Sequence, residues 1–144
     1  MSVERAHQAS PELLEALQRL LPQLSPGRPV PTTAELRELM DAHGSTLLLA
    51  RDELGQIEGT LTLVVFRTTT ELRARIEDVV VDETARGKGL GEQLVKEALR
   101  LAHERGARSV SLTSRPDREA ANRLYERIGF EQRDTNVFTY TLEE

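Results

Sequence analysis

Residues 76–99 read IEDVVVDETARGKGLGEQLVKEAL, and this stretch decides the fold. It contains a β-branched run, Val79, Val80 and Val81, of the kind that suits a pleated, half-buried strand. An acidic turn, Asp82-Glu83-Thr84, then leads into Arg86-Gly87-Lys88-Gly89-Leu90-Gly91. Beyond it Leu90, Leu94, Val95, Ala98 and Leu99 recur at the i, i+4, i+5, i+8, i+9 spacing of a core-facing helix. The order is therefore strand, glycine-rich loop, helix. Glycines let a loop backbone approach a ligand without Cβ clashes. The unpaired N–H groups and positive dipole end of the following helix attract anions. With Gly87, Gly89 and Gly91 in the loop and Arg86 and Lys88 as cations, the segment reads as a pyrophosphate cradle.

The spacing narrows which pyrophosphate. The dinucleotide fingerprint G-x-G-x-x-G is one residue longer than the G-x-G-x-G found here. A P-loop closes on Gly-Lys-Ser/Thr, whereas Lys88 is followed by Gly89.

Upstream, residues 3–7 suit a short first strand. Ser10 as N-cap and Pro11 at the first helical position open a helix over 11–24 that carries Leu13, Leu14, Leu17, Leu20, Leu21 and Leu24. The run 25–31, SPGRPVP, holds three prolines and is neither helix nor inner strand. Thr32 and Glu35 match a capping box for a second short helix, which ends at Gly44. The period then shortens to that of strands: 46–51 and 57–67 form a hairpin across the turn 52–55, and 74–81 is the next strand. Downstream, the central helix stops at Arg105-Gly106, 109–113 is a strand, 118–128 is a helix with Gly129 past its end, and 137–142 alternates as a final strand. Residues 74–113 thus make a strand–helix–strand unit with a right-handed crossover. The expected fold class is α/β, a mixed sheet with helices on both faces.

Length and composition set the bounds. A chain of 144 residues fits one domain. Hydrophobic content of 38% beside 30% charged residues fits a soluble globular protein. No apolar run approaches the roughly 18 residues of a membrane span, and the start lacks an apolar signal-peptide core. The expectation is a cytoplasmic protein that binds neither membrane nor, at a net charge of −5, nucleic acid. That charge mildly favours cationic partners such as amines. The absence of cysteine excludes disulfides, thiolate metal sites and a cysteine nucleophile. His7, His43 and His103 are far apart and show no metal-ligand pairing, so no metal is expected.

The loop resembles the acetyl-CoA-binding motif of the GNAT N-acetyltransferase superfamily, Arg/Gln-x-x-Gly-x-Gly/Ala after a strand, here Arg86, Gly89 and Gly91. A second block, Asn122-Arg123-Leu124-Tyr125-Glu126-Arg127-Ile128-Gly129-Phe130, is similar to the family's A-x-x-x-Y-x-x-x-G-F. The two blocks lie within an expected acetyl-CoA core over 74–130, and the helices over 11–44 match only in pattern, on the side where the family recognises its acceptor.

The resemblance implies a GNAT-like fold and transfer of an acetyl group from acetyl-CoA to a primary amine of a small molecule or peptide, by a monomer or homodimer. It implies that Val79, Val80 and Val81 offer backbone to the pantetheine where two parallel strands splay apart. It also implies that Arg86, Gly87, Lys88, Gly89, Leu90, Gly91 and Glu92 surround the pyrophosphate. Without cysteine, direct attack in a ternary complex is the default. Strict strand alternation places Glu77, Val79 and Val81 on one face and Ile76, Asp78 and Val80 on the other. Glu77 is then a general base acting through water, a carboxylate that binds the substrate ammonium, or a solvated group; Asp78 caps or pairs on the opposite face. Tyr125 is the acid that protonates the departing thiolate, or a core aromatic beside Ala121, Leu124 and Ile128. Asn122 hydrogen-bonds pantetheine, positions Tyr125, or is a surface residue. The 25–31 link is an acceptor-side lid or a stiff surface loop, and its Arg28 meets an anionic group of the acceptor or is solvated. Two rivals remain: a non-catalytic acyl-CoA or nucleotide sensor built on the same cradle, and a structural protein whose glycines only shape a turn.

Overall fold

A computed structural model describes residues 1–143. The elements run β1 (Ser2–Arg5), α1 (Pro11–Leu24), α2 (Thr33–Asp41), β2 (Ser45–Arg51), β3 (Ile57–Arg67), β4 (Leu72–Val81), a 3-10 turn (Glu83–Ala85), α3 (Leu90–Glu104), β5 (Val110–Ser111) and α4 (Glu119–Ile128). The strands form one sheet in the order β1-β2-β3-β4-β5. All neighbours are antiparallel except β4 and β5, which are parallel across the α3 crossover. The chain divides into two units, Met1–Thr113 with the whole sheet, and a second beginning at Ser114.

The N-terminal helices form where their end signals stand. The Ser10 hydroxyl accepts from the Leu13 N–H at 3.2 Å. Thr32 and Glu35 close the expected capping box, with bonds of 3.1 and 2.9 Å. Leu13, Ala16, Leu17 and Leu20 of α1 and Leu36 of α2 bury against Leu47, Leu49, Ile57 and Val80 of the sheet. On the opposite face α3 packs against β2, β3 and β4, burying Leu90, Leu94, Val95 and Ala98. Helices thus cover both faces of a mixed sheet, as the periodicity predicts.

The register across β4 departs from strict alternation. Cross-strand partners share a face. The rows Leu47–Thr62–Glu77 and Leu49–Thr60–Val80 therefore both lie on the α1/α2 face. The row Thr46–Leu63–Ile76 lies under α3, and so does Ala50–Gly59–Val81, since a Cβ on Gly59 would meet Leu94 of α3 at 3.1 Å. Glu77 thus shares a face with Val80, not with Val81, and the expected grouping of Glu77 with Val79 and Val81 is corrected. The cause is a β-bulge: the register slips between Thr60 and Thr62, so that Asp78 and Val79 together oppose Leu61. Asp78 sits at φ +51°, the left-handed region that Asp tolerates better than most residues.

Two other expectations change. β5 is shorter than the expected 109–113, because only Ala74–Val110 and Arg75–Ser111 pair. The expected strand over 137–142 does not form, and Val137, Phe138, Tyr140 and Leu142 stand exposed. Alternation supplies local propensity, but a strand also needs a partner for its ladder, and this segment pairs with none of the described residues.

Candidate functional site

The first unit holds three features that converge on β4. The first is its outer edge. The ladder with β5 stops at Arg75–Ser111, yet β4 continues to Val81. Over residues 76–81, which include Val79, Val80 and Val81, the edge away from β3 has no strand partner among the described residues. Those backbone N–H and C=O groups that point away from β3 can pair with an extended ligand that has amides of its own, the chemistry of strand addition; the Val81 carbonyl already accepts from Arg86.

The second is the loop that follows. Asp82 begins it, buried, with its N–H donating to the Glu58 carbonyl at 2.8 Å. Its carboxylate accepts from the Thr84 N–H at 2.9 Å and the Thr84 hydroxyl at 2.8 Å. Arg19 of α1 pairs with its other oxygen and also donates to the Ile57 carbonyl at 2.6 Å. The Thr84 N–H, more than the opposing burial, holds the Asp82 carboxyl below the usual carboxylate range, with Arg19 adding to the effect. Arg86 donates from Nε to the Val81 carbonyl at 3.2 Å, which folds the loop back on the strand end. Gly87 and Gly89 take φ of +83° and +84°, and a Cβ at either would meet nothing within 4 Å. Gly89 caps α3 without a side-chain bond, and the first helical bond runs from Gln93 N–H to Gly89 carbonyl. The N–H groups of Leu90 and Gly91 precede that bond and have no intrahelical acceptor. Leu90 is buried and anchors the helix start, while Lys88 is exposed and has no ion pair among the described residues. The Glu92 carboxylate pairs with Lys96 at 3.1 Å, one turn along the helix. The loop is exposed from Arg86 to Gly89 and brings two cations, Arg86 and Lys88, next to the unpaired N–H groups that start α3.

The third feature is a cavity of about 290 Å³ on the α1/α2 face. Leu17 and Leu21 of α1, Leu36 and Leu39 of α2 and Leu47 of β2 supply its apolar wall. Arg28 to Pro31 of the proline-rich link, Glu35, Thr60, Thr62 and Asp78 complete it. Arg28 Nη1 meets Asp78 Oδ1 at 3.0 Å, so Asp78 does pair, and its partner comes from the link. Glu77 does not line this cavity; its Oε1 accepts from Arg75 Nε at 2.9 Å on the same strand face. Sequence reasoning weighted Glu77 over Asp78 because strict alternation hid the bulge. The available signal was the Glu77-Asp78 pair, two adjacent carboxylates that break the alternation just before the Val79-Val80-Val81 run.

The second unit carries Tyr125 and Asn122 on α4. Tyr125 is buried and meets Phe130 edge-to-face, with ring centroids 5.8 Å apart. Gly129 ends the helix at φ +125°, returning the chain so that the Phe130 N–H donates to the Tyr125 carbonyl at 2.9 Å. Burial pushes the Tyr125 phenol above its usual range, and the positive charge of Arg118 opposes that rise. Asn122 donates from Nδ2 to the Arg115 carbonyl at 3.1 Å, so its amide ties α4 to the loop before it.

Comparison with known proteins follows the same lines. The family model described as Acetyltransferase (GNAT) family matches residues 11–130. Glucosamine 6-phosphate N-acetyltransferase 1 of Oryza sativa subsp. japonica is 30% identical over 129 residues, covering 84% of this chain and 76% of its own length. Among solved structures, an aminoglycoside acetyltransferase from an uncultured soil metagenomic sample, in complex with sisomicin, superposes at a TM-score of 0.84 with 21% identity. That match covers 99% of this chain and 96% of the other. AAC(6')-Iy, in complex with the bisubstrate analog CoA-S-monomethyl-acetylneamine, superposes at 0.79 with 19% identity over 97% of both chains. At these identities the two structures speak for the fold. No helix among the described residues is long and apolar enough to cross a membrane.

Proposed function

The chain belongs to the GNAT acetyltransferase family, and on that premise we propose that it is a cytoplasmic enzyme that transfers the acetyl group of acetyl-CoA to a primary amine of a small molecule or peptide. The observation that carries this reading is the bare outer edge of β4 running directly into the open glycine loop at the start of α3. An extended ligand with amides at one end and a pyrophosphate at the other complements that pair of features. The family match spans both units, which supports one acetyltransferase domain over the whole chain.

When bound, acetyl-CoA supplies an activated acyl thioester. In this reading the backbone of Val79 and Val81 pairs with the pantetheine amides while Val80, bonded to Thr60 of β3, holds the strand in place, and an N–H of the outer edge polarises the acyl carbonyl. The amides of Gly87, Gly89, Leu90, Gly91 and Glu92, with Arg86 and Lys88, hold the pyrophosphate. Glu77 takes a proton from the acceptor ammonium through water, freeing the lone pair for attack. Asn122 positions α4, and Tyr125 returns a proton to the departing sulfur. A phenol raised by burial stays protonated at neutral pH, as that role requires.

The test is a thermal shift with acetyl-CoA followed by CoA release over an amine panel of amino acids, amino sugars, aminoglycosides, polyamines and peptide N-termini. The expected result is stabilisation by acetyl-CoA and turnover with a subset of amines. Stabilisation without turnover on any amine would identify a sensor instead, and no stabilisation would refute the cradle.

A further inference from the structure

We propose that the acceptor is a small α-amino acid with an apolar side chain, held by the Arg28–Asp78 pair at the mouth of the leucine-lined cavity. This rests on the acetyl-transfer reading above and names the substrate class for it. The mouth carries one cation and one anion 3.0 Å apart, with half-exposed side chains. A half-exposed ion pair gains little over water, so a ligand with its own opposed charges can insert between the two at small cost. A free amino acid has that pattern: its ammonium meets Asp78, its carboxylate meets Arg28. The bulge and the left-handed backbone at residue 78 are what bring Asp78 to this mouth.

The interior sets the rest of the molecule. Leu17, Leu36 and Leu47 are buried in the wall and offer no hydrogen bonds. Sugar hydroxyls placed against them would lose water without gaining partners, which disfavours an amino sugar. A phosphate dianion would find one cation, Arg28, already balanced by Asp78. Among the described residues, Glu35 and Asp78 are the only carboxylates in the lining, the first held in the cap of α2 and the second paired with Arg28, so a polycationic aminoglycoside would find too few anions for its charges. A volume of about 290 Å³ also suits a small ligand.

The experiment measures CoA release with leucine, leucine amide, glucosamine 6-phosphate and sisomicin, and in parallel titrates leucine calorimetrically into the protein saturated with CoA. Wild type should favour leucine by at least 100-fold in kcat/KM over the sugar and the aminoglycoside. Leucine amide, lacking the carboxylate, should fall about tenfold or more below leucine. Arg28→Gln should raise KM at least tenfold for leucine and by much less for leucine amide, which has no carboxylate to lose; Asp78→Asn should raise KM for both. Thermal melts check that each variant folds. Higher kcat/KM for the sugar or aminoglycoside would overturn the proposal, as would equal use of leucine and its amide, or an Arg28→Gln loss that is the same for both. Leucine binding that vanishes in Arg28→Gln, without turnover on any amine, would overturn the transferase reading and leave the amino-acid site standing. Absence of leucine binding together with turnover of another amine would do the reverse.

Discussion

Gly89→Ala isolates the anion cradle from the fold. At φ +84° an L-residue pays roughly 1–2 kcal/mol of backbone strain. For a chain of 144 residues that corresponds to a fall in Tm of about 2–8 °C. The added Cβ meets no protein atom within 4 Å, so steric cost inside the protein is absent. A bound pyrophosphate would feel it, both through contact and through any reorientation of the amides that strain produces. Acetyl-CoA affinity should therefore drop at least tenfold, about 1.4 kcal/mol. Gly106→Ala is the matched control. It has φ +87°, its Cβ would reach only Leu72 Cδ2 at an ordinary 3.9 Å, and it lies past the opposite end of α3. A 15-residue helix separates the two by about 22 Å. Both variants should lose similar stability in calorimetric melts, and only Gly89→Ala should lose affinity in titration with acetyl-CoA. Pantetheine without the pyrophosphate should bind Gly89→Ala as it binds wild type. Affinity for acetyl-CoA within twofold of wild type, or an equal loss in Gly106→Ala, would refute the assignment of this loop to the pyrophosphate.

Three other outcomes are expected. Glu77→Gln should lower kcat about 100-fold, with the loss shrinking at high pH where the amine is already neutral; a change in acceptor KM alone would make Glu77 a binding residue. Tyr125→Phe should keep its melting temperature and acetyl-CoA affinity while kcat falls about 10²- to 10⁴-fold. A variant that melts much lower yet keeps its turnover per folded molecule would make Tyr125 a core residue. Asp82→Asn should destabilise by about 1–3 kcal/mol at neutral pH through weakened charge-assisted bonds to Thr84 and Arg19. Because the folded Asp82 carboxyl lies below its unfolded value, its stabilisation is full above the unfolded pKa and is lost as pH falls through the folded one. The Tm gap between wild type and Asp82→Asn should accordingly close in acid; a gap that persists unchanged there would show that the carboxylate charge is not what matters.

Much of the layout was legible because its signals are local. Ser10, Pro11, Thr32 and Glu35 fix helix starts by contacts within three residues, and α1 and α2 begin where those residues stand. The loop from β4 to α3 was equally legible, since Gly89 and the Leu90, Leu94, Val95 stripe act within one helix. What sequence could not give were features set by pairing between distant strands. The bulge depends on which residue of β3 faces Asp78, and no local pattern states that register. The short β5 is of the same kind, because its length is set by where its pairing with β4 stops. At 137–142 the alternation was real and the strand did not follow, since propensity alone does not supply a ladder partner. For the candidate site this meant that the loop was found, while the Arg28–Asp78 pair, 50 residues apart in the chain, was not.

The bulge also limits how residue 78 can vary. Exposed at the mouth of the cavity, its side chain is free of the core's demands for size and shape. Its backbone, at φ +51°, is strict in a different way, and admits Asp, Asn and Gly far more readily than any other residue. Position 78 can therefore carry a negative charge or none at little cost in stability, but a positive or bulky side chain only under strain. Across sequences that keep this bulge, the mouth of the cavity would be a two-setting element, with or without an anion, and acceptors would divide along that line.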